Sequence, residues 1–415
     1  MQILFLSDNF PPEVNAPASR TYEHCRAWAA AGHKITVITC APNFPTGKVF
    51  AGYRNKLWQR SDMDGIDIIR VWSFVTANEG FAKRILDYVS FMASAFIAGL
   101  FVRRPDIIVG TSPQFFTVVA TYLLGAVKRR PWVFELRDIW PESIKAVGAM
   151  KDSFAIRFLE RLEIHLYRNA DRIVAVTQSF RKTLIARGIA ADKIEVVTNG
   201  VDLSFYSPRQ KDQELCLQHN LSGQFVVGYL GTHGMAHALE TLIDAASVIQ
   251  DDPGGKHIRF LFIGNGARKA FLIEKAIEQG LGNVLFLDTV EKQHVASHWS
   301  ILDASIVHLR KTPLFETVIP SKIFEAMGMG MPILMGVAGE AGGIVAQGRV
   351  GLAFEAENAE DLAKAILKLS NDPALCESYR ENALQFAKQY DRGYLAEQML
   401  SILKEIVCQS RIAKR

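Results

Sequence analysis

Short apolar segments alternate with helical segments along nearly the whole chain, and this alternation constrains the fold more than any other feature. In the first half we predict strands at Ile3–Ser7, Lys34–Thr39, Ile66–Val71, Ile107–Gly110, Trp132–Glu135, Arg172–Thr177 and Ile194–Val197. In the second half we predict them at Phe225–Leu230, Ile258–Ile263, Val284–Leu287, Ala304–His308, Pro332–Met335 and Leu352–Phe354. Helical segments such as Ser19–Ala31 and Ala238–Ile249 lie between most strands, so each half predicts a mostly parallel sheet with helices on both faces.

The chain is long enough for two domains. It has 415 residues, of which 49% are hydrophobic, and these can bury two cores of ordinary size. The alternation restarts after residues 203–223, a polar stretch with Pro208 that we interpret as a linker. We therefore predict domains at residues 1–205 and 206–392. The loop Asp8–Pro17 contains no glycine, so a GxGxxG dinucleotide motif is excluded there.

The cysteines and the N-terminus indicate an intracellular location. Five cysteines are scattered without a CxxC pair, which predicts reduced thiols rather than a disulfide framework or a zinc site. The N-terminal MQILFLSD reads as a strand and lacks the basic region and cleavage site of a signal peptide, so export is not expected.

One short acidic motif has two interpretations. Asp62-Met-Asp64-Gly65 matches an Asp-x-Asp metal-binding sequence, but Asp-Gly directly before a strand is a strong signal for a tight turn. We predict the turn.

Positive charge is concentrated in the first half of the chain. The formal net charge is +4, and residues 1–205 carry 26 Lys and Arg against 19 Asp and Glu, whereas residues 206–415 carry 21 against 24. This bias suits an anionic membrane surface or a diphosphate-bearing acceptor, and it is also compatible with an ordinary solvated surface.

Two apolar runs in the first half are bracketed by basic residues. Tyr88–Val102 lies between Lys83-Arg84 and Arg103-Arg104, and Phe115–Val127 precedes Lys128-Arg129-Arg130. Both runs are short for a membrane-spanning helix, so each predicts either a buried helix or a helix that lies in a membrane interface.

The segment Phe315–Leu334 predicts a short helix at a ligand site. Ser321 is suited to an N-cap and Gly330 to a C-terminal stop, which predicts a helix from about Ser321 to Met329. A helix start beside Lys322 favours phosphate binding. Glu325 is placed to accept hydrogen bonds from ribose hydroxyls and Glu316 to reach a sugar; ordinary capping and ion pairing is the alternative.

A glycine-rich turn follows the first strand of the second half. In Gly231-Thr232-His233-Gly234 the backbone N–H groups can approach a pyrophosphate closely, although a plain tight turn has the same sequence.

These motifs resemble those of family 4 retaining glycosyltransferases of the two-domain GT-B type. Such enzymes carry two glutamates around a nucleotide-binding helix, and Glu316 and Glu325 resemble that pair with a wider spacing. Thr198-Asn-Gly200-Val-Asp202 resembles the sequence that closes the family's N-terminal domain. PSKIFEAM and DNFPPEVNAPASR are most similar to the subgroup of proposed N-acetyl-L-fucosamine transferases of O-antigen and capsule assembly.

The resemblance implies an α/β GT-B fold, with two Rossmann-like domains facing across a cleft and a last helix, at about residues 393–415, that returns to the first domain. It implies retaining transfer of a sugar from a UDP-sugar to an undecaprenyl-diphosphate-linked saccharide, with no metal or other cofactor and no nucleic acid partner. The enzyme would be cytoplasmic and peripheral on the anionic inner face of the membrane.

The resemblance also assigns residues. Catalytic roles are expected for Glu316, Lys322, Arg310 and Asp138, and donor-binding roles for Gly231, Thr232, His233, Gly234, Gly266, Val290, Ser321, Ile323 and Glu325. His237 stands where many members have a diphosphate-binding lysine, so Arg310 and Lys322 are the expected substitutes, with His233 as a further donor. Asp138 follows Glu135 and Arg137 at a strand end, where these groups would bind the acceptor or sugar, or form an internal Arg–Asp ion pair.

Two other functions remain open on the sequence. A nucleotide-sugar 2-epimerase shares this architecture, and a non-catalytic partner subunit would use the same pocket only to bind a nucleotide-sugar or a lipid.

Overall fold

The computed structural model describes residues 1–44, 46–76, 81–140 and 154–412. The chain divides into two compact units. Met1–Asn199 and the C-terminal residues from Arg392 onward form the first unit, and Gly200–Asp391 form the second.

The first unit is built on an eight-stranded sheet in the order β3-β4-β2-β1-β5-β6-β7-β8. All neighbouring strands are parallel except β3 and β4. The strands are β1 (Gln2–Leu6), β2 (Lys34–Cys40), β3 (Trp58–Met63), β4 (Ile66–Val71), β5 (Ile107–Thr111), β6 (Trp132–Leu136), β7 (Arg172–Ala175) and β8 (Ile194–Val196). The helices are α1 (Ala16–Ala30), α2 (Phe81–Phe101), α3 (Phe115–Lys128), α4 (Phe154–Asn169) and α5 (Gln178–Ala186).

Strand β3 is the one strand of the described sheets that the sequence did not predict. Its residues, WQRSDM, are mostly polar and exposed because the strand lies at the sheet edge. It pairs antiparallel with β4 through a turn at Asp64 and Gly65, both at positive φ, +53° and +78°. The prediction of a tight turn at Asp64-Gly65 is therefore confirmed.

The second unit has a six-stranded parallel sheet in the order β11-β10-β9-β12-β13-β14. Its strands are β9 (Phe225–Leu230), β10 (Ile258–Ile263), β11 (Val284–Leu287), β12 (Ala304–His308), β13 (Ile333–Gly336) and β14 (Gly351–Ala353). Its helices are α6 (Gln213–Gln218), α7 (Glu240–Asp251), α8 (Lys269–Glu278), α9 (Lys292–Ser300), α10 (Lys322–Gly328), α11 (Gly339–Gly348), α12 (Ala359–Ser370) and α13 (Pro373–Ala387). Both sheets show the strand order of a doubly wound, Rossmann-like domain.

The segment interpreted as a linker belongs to the second unit. Cys216 and Leu221 are buried in that unit's core, Phe205 and Tyr206 pack against the core, and residues 213–218 form helix α6. The N–H of Val201 donates to the carbonyl of Tyr390 at 2.9 Å. The linker interpretation is wrong because apolar side chains scattered among polar ones anchor this segment, and the boundary lies after Asn199 rather than after Phe205.

The last helix, α14 (Arg392–Ile412), packs on the first unit. Its apolar side is buried in one core cluster with Phe5 of β1, and this side includes Leu395, Met399 and Leu403. The indole N–H of Trp28 in α1 donates to the carbonyl of Ala396 at 2.7 Å.

A buried ion pair joins helix α1 to the end of β6. The guanidinium of Arg20 donates to Glu135 at 2.8 Å and to the carbonyl of Val197 at 2.9 Å, and both side chains of the ion pair are at most 5% exposed. Burial alone would raise the pKa of Glu135, but the charges of Arg20 and Arg137 lower it to about 2. These contacts of Arg20 therefore fix helix α1 against β6 and against the end of β8.

We expect Arg20→Met to destabilise the first unit by about 3–5 kcal/mol, because the Glu135 carboxylate would remain buried without its partner. Urea unfolding of the full chain, with hydrogen exchange of residues 132–136, measures the loss. The matched control is Arg60→Met, since Arg60 pairs with Asp67 at an exposed edge, where loss of the ion pair should change stability little. Equal effects of the two variants would contradict this role.

The same pair predicts a pH dependence. The pKa of Glu135 in the folded chain, about 2, lies below its ordinary value of 4.5, so the pair contributes stability above pH 4.5. That contribution is lost as the pH falls from 4.5 toward 2. We expect the protection of the amides of residues 132–136, corrected for the intrinsic exchange rate at each pH, to fall over this range in the wild type, and an Arg20→Met chain to lack the change.

Candidate functional site

The predicted donor-binding residues gather where the strand order of the second sheet reverses. Strands β9 and β12 are neighbours at its centre, and their connections leave toward opposite edges. In open parallel sheets this point forms a crevice beyond the carboxyl ends of the strands, which is the usual ligand site. The turn after β9 contains Gly231–Gly234, and the segment after β12 contains Arg310, Glu316 and Ser321.

The turn after β9 is bonded through its backbone to the turn after β10. The N–H of Gly231 donates to the carbonyl of Ile263, that of His233 to Asn265, and that of Arg268 to His233, each at 2.9 Å. The two turns thus form one backbone platform, comprising residues 231–234 and 264–268.

Glycine is required for the two turns to approach this closely. A Cβ on Gly264 would lie 2.0 Å from the carbonyl oxygen of Gly231, and a Cβ on Gly266 would lie 2.5 Å from that of His233. Gly264 also has a φ of +142°, a conformation that L side chains rarely adopt. The predicted residue Gly266 therefore shapes the platform through its lack of a side chain.

Arg310 fixes the turn after β9 from the side of β12. Its backbone N–H donates to the carbonyl of Ala236 at 2.9 Å, and its Nε donates to that of Met235 at 2.6 Å. Its guanidinium also pairs with Glu240 at 2.7 Å and with Glu357 at 3.5 Å. Arg310 therefore positions this turn while it is paired with two carboxylates, and the diphosphate contact that the sequence suggested stays a prediction.

His308 makes a second connection to that turn, and sequence reasoning missed it. The His308 side chain is 1% exposed, and its Nε2 accepts a hydrogen bond from the N–H of Glu357 at 3.0 Å. The ring proton therefore lies on Nδ1, which donates to the carbonyl of His237 at 2.8 Å. Burial lowers the pKa of His308, consistent with this neutral form. The only sequence signal was a histidine at the end of an otherwise apolar strand.

Burial makes the rings of His233 and His237 poor cations. The side chain of His233 is fully buried beside the rings of Tyr229 and Phe262, and burial, with a smaller effect of the Lys269 charge, lowers its pKa to about 4. Burial also lowers the pKa of His237. Both rings are therefore neutral near pH 7, and a hydrogen bond from His233 to the diphosphate stays a prediction.

Lys322 and Glu325 lie together beside the platform. The ammonium of Lys322 donates to the Glu325 carboxylate at 2.8 Å, with the lysine side chain 35% exposed and that of the glutamate 11% exposed. A Cβ on Gly231 would lie 3.8 Å from Cε of Lys322, so the lysine reaches the first residue of the glycine turn. The structure thus brings three predicted residues together at the switch point of the sheet.

The helix that carries this pair is close to its predicted bounds, but its start differs in detail. Ser321 makes no side-chain cap, because its backbone is already helical at φ −60° and ψ −22°. Ile323 is fully buried in the core, and its N–H donates to the carbonyl of Pro320 at 3.2 Å. Ser321 and Ile323 therefore have structural roles in the described chain, and a phosphate contact by either stays a prediction.

The end of this helix follows the prediction closely. Gly330 has a φ of +69°, its N–H donates to Met327 at 3.0 Å, and the N–H of Met331 donates to Ala326 at 2.8 Å. This is a Schellman motif, and the predicted stop at Gly330 is confirmed.

Glu316 lies on a short 3-10 turn, Phe315–Thr317, with its side chain exposed. The backbone of this turn contacts the start of α11, where a Cβ on Gly339 would lie 2.1 Å from the carbonyl oxygen of Glu316. Thr232 is exposed and lies in the turn after β9. Val290 is half-buried and lies in the loop after β11. Their ligand contacts stay predictions.

In the first unit, Asp138 follows β6 and is half-buried. The backbone N–H groups of Arg137 and Asp138 both donate to the hydroxyl of Ser112, at 2.8 and 3.3 Å. Glu135 is fully buried and paired with Arg20, so the idea that it binds an acceptor is wrong. Pro141, at the end of the same motif, lies outside the described residues.

Comparison with known proteins assigns the chain to a family. The model described as "Glycosyl transferase 4-like domain" matches residues 15–200, and the model described as "Glycosyl transferases group 1" matches residues 216–386. The chain is 26% identical over 343 residues to the putative colanic acid biosynthesis glycosyl transferase WcaI of Escherichia coli K12, with 80% of this chain and 82% of WcaI aligned.

Solved structures show the same fold. A sucrose-phosphate synthase from Thermosynechococcus elongatus matches with a TM-score of 0.75 and 17% identity, covering 99% of this chain and 100% of its own. HepE of Anabaena, in complex with UDP and glucose, matches with a TM-score of 0.71 and 19% identity, covering 97% and 99%. The prediction of a GT-B fold with two Rossmann-like domains is confirmed. The chain therefore belongs to the glycosyltransferases that combine a 4-like N-terminal domain with a group 1 C-terminal domain.

Proposed function

We propose that this chain is a retaining glycosyltransferase of surface polysaccharide biosynthesis that uses a UDP-sugar without a bound metal. The observation that carries the proposal is the Lys322–Glu325 pair beside Gly231, at the switch point of the second sheet. The similarity to a relative named for colanic acid biosynthesis supports the polysaccharide context.

The donor's nucleotide would lie on the backbone platform. Glu325 is a buried acceptor suited to ribose hydroxyls. The N–H groups of Gly231 and His233 are used within the platform, so those of Thr232 and Gly234 would meet a diphosphate. HepE, which shares the fold, was crystallised with UDP and glucose, and this favours UDP as the nucleotide here. Thr232, Gly234 and Val290 would border it, and Glu316 would reach the sugar.

Lys322 would stabilise the leaving group. During transfer, the bond between the anomeric carbon and the β-phosphate oxygen breaks, and a bond from that carbon to the acceptor oxygen forms. The acceptor proton moves to the leaving UDP on the same face, which retains the configuration. Because negative charge grows on the diphosphate, a fixed ammonium beside it lowers the barrier. Glu325 holds that ammonium in place.

The donor sugar would be N-acetyl-L-fucosamine or a related amino sugar, and the acceptor an undecaprenyl-diphosphate-linked saccharide. The basic first half of the chain supports an anionic acceptor and a peripheral position on the inner face of the cytoplasmic membrane. Asp138 would contact the acceptor or the transferred sugar.

One observation favours a second candidate, a non-catalytic subunit that only binds a nucleotide-sugar. His233 and His237 are neutral and Arg310 is neutralised by carboxylates, which leaves Lys322 as the cation expected to act on the diphosphate. Tight UDP binding without turnover, across a panel of UDP-sugars and acceptors, would identify that function. Release of a 2-epimer without an acceptor would instead identify an epimerase.

We expect Glu325→Ala and Lys322→Ala to affect different steps. Loss of charged hydrogen bonds to the ribose should weaken UDP binding about 10- to 100-fold in Glu325→Ala. Lys322→Ala should lower turnover about 100- to 1,000-fold with a smaller effect on binding, because its charge acts mainly on the leaving group. Calorimetry with UDP and GDP, without divalent metal, and a transfer assay measure the two effects.

The control is Lys311→Ala, since Lys311 is a nearby exposed lysine paired with Glu355 at 2.8 Å. It should change neither quantity appreciably. If Glu325→Ala and Lys322→Ala also leave affinity and turnover unchanged, the site is wrongly placed.

We also expect Gly264→Ala to abolish most UDP binding, by about 100-fold, because the added Cβ would separate the two turns of the platform. Gly280→Ala is the matched control, since Gly280 also has a positive φ, +63°, but open space around its Cβ position. Both variants incur backbone strain, and thermal melts report it. Equal UDP affinity of the two variants would show that the platform does not contact the nucleotide.

A further inference from the structure

Helix α2 has two apolar faces, and one of them is exposed. Its inner face, with Phe91, Ala95 and Ala98, is buried in the core of the first unit. Its outer side carries Leu86, Ile97, Leu100 and Phe101, which are 51%, 56%, 41% and 73% exposed. Helical spacing places these positions on one side of α2, where Ile97, Leu100 and Phe101 form an apolar stripe at the C-terminal end, about three turns beyond Leu86.

This helix is unusual among those that the structure describes. Within the described residues, the window Lys83–Phe101 is the one helix long and apolar enough to cross a membrane, and 22% of it is buried. The core helix of a soluble domain would be mostly buried, so burial in the unit does not account for this composition.

The fold excludes a membrane-spanning position for α2. The helix connects β4 to β5, two strands of one sheet, and its inner face packs against that sheet's core. A helix held along a sheet can lie on a bilayer with its free face, but it cannot leave the sheet to cross one.

Neighbouring elements extend the stripe into a surface. The ring of Trp58, which is 43% exposed, meets that of Phe101 edge-on with centroids 6.3 Å apart. On the adjoining helix α3, Val127 is 61% exposed, and the ammonium of Lys128 donates to the carbonyl of Leu100 at 3.0 Å. We define the α2 surface as Trp58, Ile97, Leu100, Phe101 and Val127.

Basic residues border this surface. Arg103 and Arg104 follow the exposed Phe101 after the buried Val102, and Arg129 directly follows α3; all three arginines are exposed. Helix α2 contains one acidic residue, Asp87, which is half-buried near the opposite end. Apolar side chains beside a cluster of arginines suit a bilayer with anionic headgroups, and tryptophan favours the membrane interface.

We propose that the α2 surface is the face by which the chain docks on an anionic lipid bilayer. Ile97, Leu100, Phe101 and Val127 enter the acyl boundary, and Arg103, Arg104 and Arg129 contact the headgroups. The proposal deepens the proposed function, on which it rests for its lipid-linked acceptor. A second copy of the chain is a poorer occupant, because a symmetric contact would bring this arginine cluster close to its own equivalent.

The test is flotation of the full chain with vesicles of equal parts phosphatidylglycerol and phosphatidylcholine, and with phosphatidylcholine alone. We expect binding to the anionic vesicles that weakens as salt is raised. Ile97→Ser with Phe101→Ser should weaken it about tenfold or more, since even one such side chain, when fully buried, contributes a factor of about ten or more. Arg103→Gln with Arg104→Gln should weaken it about 25-fold at low salt, at about fivefold per arginine.

The matched control is Leu217→Ser with Ile277→Ser, which removes two apolar residues that are 70% and 73% exposed on the second unit. It should bind vesicles as the wild type does. The proposal would be overturned if the wild type does not bind anionic vesicles at low salt. It would also be overturned if both α2-surface variants bind these vesicles as strongly as the wild type does. If the wild type does not bind vesicles but forms a dimer, and the Ile97→Ser, Phe101→Ser variant is a monomer, the surface would be an interface between copies of the chain.

The two proposals fail in distinguishable ways. UDP affinity and transfer to a short-chain, water-soluble acceptor do not need a membrane, so the α2-surface variants should keep both. A chain that binds vesicles through this surface but neither binds UDP nor transfers sugar would refute the proposed function alone. A chain that transfers to the soluble acceptor without binding vesicles would refute the docking surface alone.

Discussion

The candidate site depends on three backbone hydrogen bonds that join the turn after β9 to the turn after β10. They hold the two loops at a separation that leaves no room for a Cβ at Gly264. The turn after β12 adds two more bonds from Arg310, and His308 adds one through its side chain. A fixed backbone allows N–H groups to face a bound anion without reorganising first, and catalysis by electrostatic stabilisation requires this.

Charge in this site is scarce, and the reason is burial. The histidines that occupy the turn are removed from water, which favours their neutral forms. Arg310 keeps its charge, but Glu240 and Glu357 balance it. Lys322 is paired with a single carboxylate and remains partly exposed, so an arriving diphosphate could compete for its ammonium. The chemistry proposed for this site therefore rests on one cation, helped by uncharged N–H donors.

Strands of the second sheet were predictable because they are short, apolar and bounded by glycine or polar turns; β9 to β12 have the predicted bounds. The sequence missed β3, an exposed polar edge strand, and α6, which is too short for a clear helical period. It placed Lys322 and Glu325 correctly on one short helix. It could not give the roles of Arg310, His308 or His233, because these depend on which carbonyls, carboxylates and rings the fold brings to them.

Helix α2 shows why the sequence alone could not distinguish a buried helix from a helix that lies in a membrane interface. Both of its faces are apolar, so no periodicity distinguishes them. Its packing fixes which face is exposed: a Cβ on Gly99 would lie 2.4 Å from Cδ1 of Leu124, so α2 and α3 are in close contact there. Rotating Ile97 or Phe101 inward would break this contact and expose Phe91 instead. Among the described residues of its unit, the outer stripe is therefore left exposed, which is the property expected of a surface that binds a partner.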